Sequence, residues 1–211
     1  INAYYDPTTN EICFPAGILQ APFFDPAADD AANYGAIGVV IGHEMTHGFD
    51  DQGSQSDKDG NLRNWWTPQD KANFKARTQR MIQFFDGIEV LPGLHCNGAL
   101  TCGENIADHG GLKVAYQAFR NATSSRPLAD FGGFTPDQRF FISYGQIWAN
   151  NIRPEALRNQ VKTDPHAPAR WRVNGALPRS KPGTRHLESR KGTNSSFPRT
   201  NELTSGNFSV F

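Results

Sequence analysis

The apolar positions of this chain change period several times, and each change marks an element. Between Ala3 and Phe14, two β-favouring runs (Ala3-Tyr4-Tyr5 and Glu11-Ile12-Cys13-Phe14) flank the breakers Asp6-Pro7 and Asn10, which predicts a hairpin-like strand pair. The next apolar stretch, Pro15 to Gln20 and Pro22 to Phe24, is irregular. It either packs into the core or lines a cleft, with backbone groups and Asn2 open to an extended peptide. From about Ala31 to Asp50 the pattern is helical, with Gly48 marking the end of its strongest part, and its small and β-branched apolar residues suit a helix buried beneath a cleft. Thr67-Pro68-Gln69-Asp70 supplies an N-cap, a proline at the first helical position and an acid in the first turn. The helix it opens is expected to run to about Phe85, with Phe74, Met81, Ile82 and Phe85 on its apolar side. Residues 87–98 read as a loop. Leu112, Ala115, Tyr116 and Phe119 then keep i, i+3, i+4, i+7 spacing, which predicts a helix from about Thr101 to Arg120. After a loop over 121–134, Thr135-Pro136-Asp137 opens a helix carrying Phe140, Phe141, Tyr144, Ile147 and Trp148, and Arg153-Pro154-Glu155 opens a shorter one. Asp164-Pro165-His166-Ala167-Pro168 is a rigid turn that presents His166. From Arg179 the periodicity stops. Six Lys and Arg stand against two acids among Ser, Thr, Asn, Gly and Pro, the composition of a basic disordered tail. The expected organisation is therefore one domain over residues 1–178 and a tail over 179–211.

Composition narrows the function classes. At 211 residues, with 37% hydrophobic and 20% charged positions, the chain has enough apolar material for one substantial core. Lys and Arg total 21 and Asp and Glu total 21, so no global charge argues for nucleic acid or an anionic membrane. The longest apolar run, Ala36 to Gly42, is too short to span a bilayer, and no signal peptide opens the chain. Because it starts at Ile1 rather than Met, the chain reads as a fragment or a processed product. Of the three cysteines, Cys96 and Cys102 read as free or buried thiols rather than a disulfide, and neither sits in a Cys-based zinc pattern. Asp57 to Asn61 has the look of a calcium loop. With Gly60 at the sixth position, however, Trp66 falls where the bidentate Glu belongs, so the stretch reads as an ordinary turn.

The chemistry gathers at His43-Glu44-Met45-Thr46-His47. Histidines four apart lie one helical turn above each other and reach a single ion, with the intervening Glu placed to take a proton from water. Asp50, three residues beyond His47, either orients a ligand imidazole or is an exposed helix-end carboxylate. A hydrolytic zinc site needs a third protein ligand and an open position. The metzincin continuation fails, because Asp50 and Gly53 stand where Gly and His would be required. The third ligand is therefore distant. Glu104 is the best candidate, with Asp108 one turn on as an acceptor for an imidazole N–H and His109 as the rival. Gly110 and Gly111 weaken a helix and are explained by close approach of another backbone.

Several long motifs occur together and in order: Asn2-Ala3-Tyr4-Tyr5, Phe14 to Gln20, Val40 to Gly53, Gly103-Glu-Asn-Ile-Ala-Asp108 with Gly110-Gly111-Leu112, Arg153-Pro154-Glu155, Asp164-Pro-His166, and Arg172-Val-Asn-Gly175. On these the chain resembles the C-terminal catalytic part of the neprilysin and endothelin-converting-enzyme family of zinc metallopeptidases, over about residues 1–178. The resemblance implies an α+β, mainly helical, thermolysin-like zincin domain with a short N-terminal edge-strand region, lacking the family's large N-terminal domain. It implies one zinc ion held by His43, His47 and Glu104, with Glu44 as general base and Asp108 as a catalytic acid that also holds a ligand imidazole. It further implies His166 as oxyanion stabiliser, Arg172 as a substrate-carbonyl ligand, and Asn2 and Ala3 as the edge that pins an extended substrate. The function implied is endopeptidase or oligopeptidase action on short peptides in an extracytoplasmic setting. The alternative is an incomplete fragment that binds zinc and peptide without turnover. The departures are Ala149, where animal members carry Cys, and the terminus Ser209-Val210-Phe211 in place of a Cys-x-x-Trp type; the missing cysteines lean towards a bacterial-type member.

Overall fold

The computed structural model describes residues 1–177, so the basic tail lies outside the described residues. Strands β1 (Tyr4–Asp6) and β2 (Glu11–Cys13) pair antiparallel, Tyr4 facing Cys13 and Asp6 facing Glu11, as their spacing predicts. The single helix expected from Ala31 to Asp50 is instead three pieces. Helix α1 (Asp30–Asn33) leads into a π-helical segment (Tyr34–Gly38) and then α2 (Val39–His47), which stops three residues short of Asp50. The irregularity goes with a tertiary contact: the Ile37 N–H donates to the Phe23 carbonyl at 2.9 Å. π-Turns of this kind re-aim the residues that follow, here the whole of α2.

Helix α3 (Pro68–Asp86) begins where expected, Thr67 Oγ1 accepting from the Asp70 N–H at 3.1 Å. Residues 87–98 are not a plain loop. They form a small hairpin, β3 (Glu89–Leu91) with β4 (Leu94–His95), turned by Pro92 and by Gly93 at φ 72°. Helix α4 (Cys102–Thr123) runs slightly past the predicted end. Helix α5 (Pro136–Ile147) opens with a complete capping box: Thr135 Oγ1 accepts from the Gln138 N–H, and Gln138 Oε1 accepts from the Thr135 N–H. Helix α6 (Pro154–Thr163) follows, and the segment holding Arg172 is itself helical, α7 (Ala169–Ala176).

Helix α4 is the spine. Its C-terminal half packs Leu112, Ala115 and Phe119 against Phe140, Phe141 and Tyr144 of α5. Its first turns pack Cys102 and Ile106 against Met81 and Phe85 of α3 and against Ala167. A third, smaller cluster of Ala3, Ile18 and Ile37 ties the N-terminal segment to the π-helical turn. Each buried aromatic or branched side chain contributes about 1.5–3 kcal/mol relative to exposure. Helix α2 lies against α4 at backbone distance, because glycine faces glycine. A Cβ on Gly42 would come 2.9 Å from the Gly111 Cα, and one on Gly111 would come 2.6 Å from the His43 N. Among the described residues the architecture is mainly helical, with two small two-stranded sheets. Among the described residues no helix is long and apolar enough to cross a membrane.

Candidate active site

The close α2–α4 packing brings residues some sixty positions apart into one cluster. His43 and His47 are stacked one turn apart on α2, their rings edge-on at 88° with centroids 4.6 Å apart. Each ring is pinned at Nδ1 by a carboxylate: His43 by Asp108 Oδ1 at 2.9 Å, His47 by Asp50 Oδ2 at 2.7 Å. Asp50 is buried and also accepts the backbone N–H groups of Gln52 and Gly53, so it is not an exposed helix-end acid.

With Nδ1 committed as donor, each imidazole in its neutral form carries its lone pair on Nε2, and the two Nε2 atoms converge on one spot. The Nε2 atoms are 3.0 Å apart, Glu104 Oε2 is 3.2 Å from that of His43, and Glu104 Oε1 is 3.7 Å from that of His47. Three donors bonded at 2.0–2.2 Å to a tetrahedral ion stand about 3.3–3.6 Å from one another. Two nitrogen lone pairs and a carboxylate this close repel unless positive charge lies among them; a proton on His43 or a zinc ion supplies it, and the donor set fits zinc. Glu44 also belongs to a compact His43–Glu44–His47 group whose donor atoms lie within 4.8 Å of one another. Glu104 approaches both imidazoles, at 3.2 Å from His43 Nε2 and 3.7 Å from His47 Nε2, and Glu44 stands beside them. The rival His109 turns its Nδ1 to the Asn105 carbonyl of its own helix at 2.7 Å.

The electrostatics follow from burial and pairing. Burial opposes charge on His43, yet its hydrogen bonds to Asp108 and Glu104 prevail, and the ring is pushed up to about 9. Burial raises Glu44, and the neighbouring His43 and His47 only partly offset it. Burial works against the ionised forms of Glu104 and Asp108 as well. Hydrogen bonding to His43 and the charge of His166 and Arg172 hold Glu104 below its ordinary value. Arg172 and His43 hold Asp108 well below the usual carboxylate range.

The remaining expected residues surround the same spot. His166, on the loop between α6 and α7, places Nε2 3.3 Å from Glu104 Oε2. Asp164 Oδ1 accepts from both the His166 backbone N–H at 2.9 Å and ring Nδ1 at 2.7 Å. Arg172 reaches from α7 to both oxygens of Asp108, and Asn2 and buried Ala3 border the same cavity of about 440 Å³. Ile18, Phe23, Val40, Ile147 and Trp148 give that cavity an apolar wall. Sequence reasoning missed two residues here. Asp164 carried a usable signal, a carboxylate two before a His in a proline-bounded turn. Trp148, stacked with Arg172 Cζ 3.8 Å from its ring centroid, carried none, since only tertiary packing brings the two together.

The profile of peptidase family M13 matches residues 2–186. The chain is 48% identical over 190 residues to endothelin-converting enzyme 1 of Rattus norvegicus, covering 89% of this chain and 25% of that protein. It is 44% identical over 185 residues to human neprilysin, covering 85% of this chain and 25% of the relative. Among solved structures, the zinc metalloprotease Zmp1 of Mycobacterium tuberculosis in complex with an inhibitor superposes with a TM-score of 0.85 at 45% identity, over 88% of this chain and 29% of that one. PepO from Lactobacillus rhamnosis superposes with a TM-score of 0.76 at 40% identity, over 89% and 29%. The chain thus spans about a quarter of the length of these curated relatives.

Proposed function

The chain belongs to peptidase family M13, and from that premise we propose that it is the catalytic part of a zinc endopeptidase or oligopeptidase acting on short, extended peptides. One observation carries the reading: two imidazoles locked by carboxylates at Nδ1 turn their Nε2 atoms on the Glu104 carboxylate, with Glu44 beside them. His43, His47 and Glu104 would hold one zinc ion. When bound, zinc supplies Lewis acidity and brings the pKa of water near 7.

The chain's own groups do the rest. Glu44, its carboxyl raised by burial, takes the proton of the attacking water and passes it to the leaving nitrogen, worth roughly 10²–10⁴-fold in rate. By accepting from Nδ1, Asp108 fixes the neutral His43 tautomer whose Nε2 lone pair is open to the ion. His166, held by Asp164, donates towards the oxyanion that develops on the scissile carbonyl, worth about 10²–10³-fold. Asn2 and Ala3 hold the substrate backbone extended, and Arg172 borders the carbonyl-binding side. The apolar wall suits an apolar side chain next to the cut. Family membership supports an extracytoplasmic setting for the parent protein.

Glu44→Gln tests the assignment. The variant is expected to bind zinc as wild type does while cleaving a quenched fluorogenic peptide at least about 10²-fold more slowly. Undiminished cleavage would remove Glu44 from the mechanism. Zinc binding by wild type with no cleavage would favour the incomplete-fragment reading, which the chain's short span relative to its relatives keeps in play.

A further inference from the structure

We infer that Arg172 is a positioning residue for the zinc-binding imidazole of His43, acting through Asp108. The inference rests on the reading of His43, His47 and Glu104 as a zinc site, and goes beyond the role of Arg172 towards substrate. The guanidinium is gripped by Asp108 and stacked on Trp148, and its Nη2 also makes a longer contact of 3.5 Å with Glu104 Oε2. Nε donates to Asp108 Oδ2 at 2.8 Å, and Nη2 to Asp108 Oδ1 at 2.7 Å, a two-pronged grip that only a planar fork makes. Its flat face lies 3.8 Å from the Trp148 ring centroid, and its backbone carbonyl accepts from the Tyr144 hydroxyl at 3.0 Å. The whole residue is only 6% exposed.

Asp108 Oδ1 is the shared point, because it also accepts from His43 Nδ1 at 2.9 Å. With the fork in place the carboxylate plane is fixed, and with it the His43 tautomer and ring angle. Without the fork, a fully buried carboxylate would keep a single partner and turn towards it, and the Nε2 lone pair of His43 would lose its aim.

Zinc affinity reads the proposal without recourse to turnover. Zinc dissociation constants would be measured by competition with a chromophoric chelator for wild type, Arg172→Lys, Arg172→Met, Asp108→Asn and the Arg172→Lys/Asp108→Asn pair. Arg172→Lys is expected to weaken zinc binding about 10-fold and Arg172→Met up to about 100-fold. The double variant should be no weaker than Asp108→Asn alone, because both changes break one relay. Lysine keeps the buried charge, so Arg172→Lys carries the comparison should Arg172→Met not fold, with helix content checked by circular dichroism. Wild-type zinc affinity in both Arg172 variants would overturn the inference. So would a loss from Arg172→Lys that adds in full to that of Asp108→Asn. A wild-type chain that binds no zinc would overturn the zinc-site reading and this inference together.

Discussion

At the scale of single residues, what separates this cluster from a chance grouping of histidines is the state of each ring's far nitrogen. His43 and His47 each spend Nδ1 on a carboxylate, so each in its neutral form presents a lone pair at Nε2. Helical spacing made the two histidines and Glu44 legible, and the i+3 and i+4 offsets made Asp50 and Asp108 legible as partners. The choice between a buried and an exposed Asp50 was not legible, because burial depends on the loop that folds Gln52 and Gly53 over it. The cysteines give a test at this scale. Burial and nearby acids push Cys96 up to about 11 and Cys102 up to about 12, and both are free thiols beneath the surface. Folded values above the ~8.5 of a free thiol mean that the stability these protonated groups contribute is whole below about pH 8.5 and is lost as pH rises towards 11–12. Alkylation at pH 8 is expected to label the half-buried Cys13 and spare the other two, with all three reacting after unfolding. More than one equivalent taken up by the native chain would contradict the burial.

At the scale of elements, the site exists because α2 and α4 touch through glycine. A Cβ at residue 111 would press on the His43 backbone N at 2.6 Å, and one at residue 42 on the Gly111 Cα at 2.9 Å, contacts that backbone cannot yield without moving. Gly111→Ala is therefore expected to cost about 1–3 kcal/mol of stability and to weaken zinc binding, since it displaces the turn that carries His43. Gly145→Ala, in α5 with nothing within 4 Å of its would-be Cβ, is the control and should be neutral or slightly stabilising. Equal denaturation midpoints for the two variants would show that the α2–α4 contact is looser than described. Capping chemistry made the starts of α3 and α5 readable to the residue, and the glycine pair at 110 and 111 announced a close approach without naming the partner. The β3–β4 hairpin was missed because strands of three and two residues are too short to establish a period, although Pro92-Gly93 marked its turn. The π-helical turn was missed because the bond that goes with it, from the Ile37 N–H to Phe23, is a tertiary contact.

At the scale of the whole molecule, α4 joins two of the three apolar clusters to the site, so metal binding and folding are expected to be coupled. A ligand at 100 times its dissociation constant stabilises the folded state by about 2.7 kcal/mol. For a chain of this size that corresponds to a rise in Tm of roughly 5–10 °C. Calorimetry with and without zinc should show such a rise, and His47→Ala should erase most of it; an equal rise in that variant would place the ion elsewhere. The most direct test of the central claim is X-ray absorption at the zinc K-edge of the reconstituted chain. One ion per chain is expected, with two imidazole nitrogens and oxygen-only remaining scatterers at about 2.0–2.2 Å. Sulfur at about 2.3 Å, or a shell with no imidazole scattering, would contradict it.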